Sequence, residues 1–135
     1  MRAALAALLG AAAVLAGCGS PAPDLFVVER SGPDPAANLT MRVSDGGSVV
    51  CNGSEHALDA NRLLRARQLA RDISKQAELG LELPPGPRSN LSYKVRLEAG
   101  TVAFSDTSRG NPKAFFQLAA FTKDVSERVC GIVRQ

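Results

Sequence analysis

From Asn90 to Glu98 the chain alternates without a break: Leu91, Tyr93, Val95 and Leu97 against Ser92, Lys94, Arg96 and Glu98. A period of two is the strand repeat, and a strand with one apolar and one charged face belongs to an antiparallel sheet with one dry side and one wet side. The dry side needs a second layer over it. Two amphipathic segments supply that layer. Asp59 to Leu79 predicts a helix, with Asp59 as N-cap and Leu58 and Leu63 spaced as a hydrophobic staple. At 100° per residue Leu63, Ala66, Leu69, Ala70, Ile73 and Ala77 fall on one stripe, while Arg65, Arg67, Gln68, Arg71, Asp72 and Lys75 cover the remainder. Gly80 is placed to end this helix through a left-handed conformation. A second helix is expected to open at Asn111 as N-cap with Pro112 in its first turn, and Phe115, Leu118, Phe121, Val125 and Val129 make its core stripe.

The other strands are shorter. Leu25 to Arg30 is β-rich and ends at Ser31-Gly32-Pro33. Leu39, Met41 and Val43 alternate with Thr40, Arg42 and Ser44, Asp45-Gly46-Gly47 makes a tight turn, and Ser48 to Cys51 returns. Ala99-Gly100 marks another turn, and Thr101 to Asp106 comes back with Val102 and Phe104 inward. The expected order is β-β-β-α-β-β-α: an α+β fold, with an antiparallel sheet of about five strands and two helices packed on one face. Pro84-Pro85-Gly86-Pro87 reads as a stiff loop, since too little chain lies on either side for two cores. Residues 24–135 therefore read as a single domain.

The N-terminus has a different composition. Arg2 is followed by an apolar run from Ala3 to Val14, shorter than the roughly 20 residues a membrane span needs. Leu15-Ala16-Gly17-Cys18 closes it. This ending resembles the lipobox of bacterial lipoproteins, which implies a signal peptide over residues 1–17, cleavage before Cys18 and a diacylglycerol on the Cys18 sulfur. Two acyl chains anchor a protein stably where one does not. Residues 18–23, with Ser20-Pro21-Ala22-Pro23, then form a short extended tether. The expected location is extracytoplasmic, anchored to the cell membrane by the N-terminal lipid.

Lipidation of Cys18 also simplifies the cysteine count. Three cysteines are odd in an exported chain, but Cys51 and Cys130 remain as one pair, and an oxidising compartment favours a bridge. Such a bridge closes a loop of about 80 residues, for which loop entropy predicts roughly 4.5 kcal/mol as an upper bound. The alternative is two buried free thiols.

Several chemistries are disfavoured. Without Arg2 the chain holds 15 basic against 13 acidic side chains, with one Tyr and no Trp, which points to no nucleic-acid partner. His56 is the only histidine, and it lies in the polar stretch Asn52-Gly53-Ser54-Glu55-His56 with no GxSxG elbow anywhere. Two cysteines without a CxxC spacing make no zinc cage, so neither metal nor cofactor is expected. Asp106 has no evident acidic mate for a carboxylate dyad. The reading is a protein that is not an enzyme, with a small hydrolase as the least favoured option.

Three features remain as candidate sites. Ser108, Arg109 and Asn111 precede a helix N-terminus, where free N–H groups attract anions, although such residues are also ordinary turn and cap formers. Leu64 and Phe116 lie off their helix stripes and are candidates for protein contact, or for packing under a loop. Arg30-Ser31-Gly32 after a first strand, then a hairpin, a helix, a Tyr-bearing strand, a strand ending in Asp106 and a helix begun by Pro112 resembles the emfourin-type inhibitors of thermolysin-like metalloproteases over about Leu25 to Thr122. That resemblance implies a protease contact at Arg30, Ser31 and Gly32, with Pro33 standing where the family has a second glycine. Over its whole length the chain resembles small lipoproteins of unassigned function from high-GC bacteria. The first expectation is a non-catalytic binding module held at the membrane, whose partners are the membrane, through Cys18, and a protein of the cell envelope. The alternative is a protease inhibitor.

Overall fold

A computed structural model describes residues 19–134; residues 1–17, read as a signal peptide, and Cys18 lie outside the described residues. The strands are β1 (Asp24–Ser31), β2 (Leu39–Ser44), β3 (Ser48–Cys51), β4 (Ser54–Ala57), β5 (Ser92–Leu97) and β6 (Gly100–Ser105). The helices are α1 (Ala60–Glu78) and α2 (Lys113–Arg128), and a 3-10 turn spans Pro35–Ala37. The fold is α+β: one sheet in the order β4-β3-β2-β1-β5-β6, every named pair antiparallel, with both helices against it.

The alternation places the core. Val28, Met41, Val49, Val95 and Val102 are fully buried on one face of the sheet, and Ala66, Ile73, Phe115, Leu118 and Val125 meet them from the helices. The central strand β1 joins a four-strand meander to the β5–β6 hairpin. Glu29 therefore stands opposite Thr40 on one side and Lys94 on the other. The bulge between Asp24 and Phe26 lets the chain enter the sheet while keeping Phe26 and Val28 inward.

The sheet holds six strands where about five were expected. The additional strand, β4, occupies part of the polar stretch Asn52 to His56 and adds Ala57. Asn52 and Gly53 both adopt positive φ (47° and 88°), as a two-residue hairpin with the right-handed strand twist requires. The strand they return is short and polar because it lies at the edge and buries little.

α1 begins as expected, with the Asp59 carboxylate accepting the Arg62 N–H at 3.0 Å. It ends at Gly80, whose φ is 60° and whose N–H donates to the Ala77 carbonyl. α2 differs from expectation. Pro112 is the capping residue and makes no side-chain cap. Asn111 does not cap the helix, because its amide donates to the Ser105 carbonyl at 2.9 Å.

α1 starts beside β4, and its Ala77 lies against Gly100 at the start of β6. α2 starts after β6, stacks Phe115 on Phe104 and is followed by Cys130, bonded to Cys51 of β3. The helices therefore cross the sheet in opposite directions. Arg62 ties them: its Nε donates to Asp124 at 2.8 Å and its Nη1 to Asp59 at 2.6 Å. The Arg62 hydrogen bond holds the Asp124 carboxyl below its ordinary value of 3.8. A carboxyl depressed by folding contributes stability that is present above the ordinary range and lost as pH falls through it. Asp124→Asn is expected to lower the melting temperature at pH 7 by roughly 2–5 °C, an exposed ion pair being screened by water. The difference from the parent should shrink below about pH 4. Thermal scans across pH check this, and an equal difference at pH 3 and pH 7 would contradict it.

Candidate functional site

The wet face of the sheet carries a groove of about 470 Å³ at the end where β1 finishes. Its floor comes from alternate residues of three strands: Glu29 and Ser31 of β1, Ser92 and Lys94 of β5, and Ala103 and Ser105 of β6. Its wall is Leu83 and Pro85. The wall stands because residues 81–83 run along the outer edge of β6: the Leu83 N–H donates to the Ala103 carbonyl at 2.8 Å and the Ala103 N–H to the Leu81 carbonyl at 3.0 Å. The volume falls within the range of small-ligand clefts, about 300–1,000 Å³.

The proline-rich loop beyond the wall is pinned at several points. The Ser108 hydroxyl donates to the Pro84 carbonyl at 2.9 Å and accepts the Ser105 N–H at 2.9 Å. The Asp106 carboxylate accepts from the Ser89 hydroxyl and the Asn90 N–H, both at 3.2 Å. Gly86 sits directly on the Thr107 carbonyl, leaving no room for a side chain. The groove edge is held from two sides of the chain before any ligand arrives.

Beneath the floor, Tyr93, Phe104 and Phe115 form a continuous stack with ring centroids 5.0 and 4.5 Å apart. Arg30 lies beside Tyr93 on the core face and is 3% exposed. Its Nε donates to the Ala37 carbonyl at 2.8 Å, closing the 3-10 turn against the sheet. Burial lowers the Arg30 pKa, opposed chiefly by the nearby Tyr93, and burial raises the Tyr93 phenol, opposed chiefly by Arg30.

These positions alter the standing of the candidate residues. Arg30 projects into the core, so its guanidinium is not a surface contact as the Arg30–Gly32 reading required. Gly32 is a packing glycine: a Cβ there would lie 2.6 Å from the Asn90 carbonyl oxygen. Ser31 is the exposed member of the three at the groove, whose lining Arg30 joins only as a buried residue. The Ser108 hydroxyl and the Asn111 amide nitrogen are taken up by internal hydrogen bonds, and of the three residues only Arg109 is exposed. Leu64 and Phe116 are exposed, at 60% and 57%. Each lies near the start of its helix, and the helices run oppositely, so the two residues stand toward opposite ends of the helical layer and form no common patch. His56 sits half-buried on β4 opposite Val49, with no serine hydrogen-bonded to it among the described residues. The described residues contain no group of three or more His, Cys, Asp or Glu side chains placed to hold a metal.

Ser92 and Lys94 were legible only as wet-face residues, and Ser31 only as part of the Arg30–Gly32 segment. Nothing in the spacing of Glu29 and Lys94, far apart in the chain, places them side by side; strand order does. The groove offers hydroxyls, one acid and one base above a rigid floor, with an apolar wall. It can hold a ligand by polar contacts, but the described residues show no nucleophile–base pair within it. Cys51 and Cys130 form a disulfide with Cα atoms 6.2 Å apart, and no helix among the described residues is long and apolar enough to cross a membrane. Comparison of the chain with protein-family models, with curated proteins and with solved structures finds no match.

Proposed function

We propose that this chain is an extracytoplasmic lipoprotein: a non-catalytic binding domain, held at the membrane by lipid on Cys18, that engages a protein of the cell envelope through the groove at the far end of β1. The observation that carries the reading is the Cys51–Cys130 disulfide. Disulfides persist in oxidising compartments, and an exported chain with an LAGC ending to its apolar leader has its third cysteine accounted for by lipid. The rigid groove supports binding, because a surface ordered in advance loses less entropy when a partner arrives. Burial of Arg30 leaves an inhibitor acting through the Arg30–Gly32 segment without its cation.

The test is made on membranes from cells expressing the full chain. The peptide beginning at Cys18 is expected to carry a diacylglycerol mass, and Cys18→Ala is expected to release the protein from the membrane fraction. In the same membranes a photo-crosslinking residue at Lys94 should give one discrete protein adduct. An unmodified Cys18 peptide in a membrane-bound protein would refute the anchor, and the absence of any adduct from position 94 would refute the groove.

A further inference from the structure

The chain enters the fold at Pro23, whose carbonyl accepts the Asp45 N–H at 2.9 Å. Beside that entry lies a crevice of about 560 Å³ between α1 and the sheet, with Leu25, Ala70, Leu97 and Ala99 in its walls and Arg67 and Arg71 at its rim. Helix α1 carries the basic excess of the domain. It holds five basic and two acidic side chains, against ten basic and eleven acidic in the rest of the chain after Cys18. Arg62 is taken up by Asp59 and Asp124, and Arg67 by Asp45. Arg71 and Lys75 form no ion pair among the described residues. Leu64, Arg67, Arg71 and Lys75 are spaced by three, four and four residues and so share one flank of the helix. Arg62 faces α2, whereas Arg67 faces Asp45, so this flank is the one turned away from α2 and toward the tether. Glu98, in the β5–β6 turn, is the acid nearest the crevice that no arginine takes up among the described residues.

We propose that this flank of α1 rests on the surface of the bilayer, with Arg71 and Lys75 against anionic headgroups and Leu64 at the interface. The proposal rests on the lipid-anchor reading. A tether of about six residues, extended at roughly 3.3 Å each, keeps the domain within about 20 Å of its anchor, so the end that bears Pro23 must lie near the headgroups. Each cation at an anionic surface strengthens association about fivefold, and an exposed leucine beside them adds apolar contact with the interface. The docked orientation turns the groove at the other end of β1 away from the membrane, toward an approaching partner.

The test uses the lipidated protein in protein-free vesicles, with or without about 30% anionic lipid, treated with a membrane-impermeant amine reagent. Labelling of Lys75 is expected to slow about fivefold relative to Lys94 in anionic vesicles only. The protection should be lost in 0.5 M salt and in the Leu64→Ser/Arg71→Ser variant, both residues being exposed enough to leave folding intact. Equal labelling of Lys75 and Lys94 in vesicles that float with the protein would overturn the docking while leaving the anchor in place. Protection seen in native membranes but not in pure lipid would assign the flank to a protein and overturn it as well. Protein that does not float with the vesicles overturns the anchor, and the docking with it.

Discussion

Replacing Cys51 and Cys130 together by alanine is expected to lower stability by about 3 kcal/mol, within the roughly 2–5 kcal/mol seen when a native bridge is removed. For a domain of this size that corresponds to a melting-temperature drop of roughly 10–20 °C. The bridge joins residues 79 apart in sequence, so it removes a large share of the unfolded chain's freedom. It also joins the end of β3 to the end of α2, where the Cys130 N–H and the Val129 N–H both turn to the Val125 carbonyl. Reductant should reproduce the shift in the parent and leave the double variant unchanged. A parent whose midpoint is indifferent to reductant would show that the bridge contributes nothing to folding.

Gly100→Ala is expected to cost about 3–4 kcal/mol. Two causes combine. Gly100 has a φ of 148°, a region that side chains avoid. A Cβ there would also press into the Ala77 carbonyl oxygen. That oxygen cannot withdraw freely, because it accepts the Gly80 N–H that closes α1. Gly53→Ala isolates the first cause, since Gly53 has a φ of 88° with nothing within 4 Å of its Cβ position; its cost should be only about 1–2 kcal/mol. Chemical denaturation of the two variants measures the difference. Equal losses would mean that the contact with α1 is unimportant.

The elements read most clearly were those with long, unambiguous periods. The alternation of Leu91 to Leu97 and the stripe of Ala66, Leu69, Ile73 and Ala77 reported burial directly, because a repeat of two or of 3.6 residues is a local property of the backbone. β4 was not legible, since three polar residues and an alanine at a sheet edge bury too little to leave a pattern, although Asn52-Gly53 carried the turn signal. Asn111 was misread as a cap because an asparagine before a helix has two uses, and only the position of the Ser105 carbonyl decides between them.

The groove was the least legible feature. Arg30 looked like the end of an exposed segment, yet the parity of β1 points it into the core beside Tyr93. Residues contributing to the floor were visible as the wet face of separate strands, but their meeting depends on β5 pairing with β1 across an intervening helix.

Composition and periodicity determined the α+β class and the two helical stripes, and the cysteine number favoured the Cys51–Cys130 bridge over two free thiols, as the structure has it. These follow from the chain alone because each is set by neighbours a few residues apart or by the elimination of alternatives. The tertiary structure decided the strand order, the burial of Arg30, the separation of Leu64 from Phe116 and the groove between Glu29, Lys94 and Pro85. Those depend on which side of β1 each distant strand joins and on how the helices cross the sheet, and that is settled by packing the whole core at once.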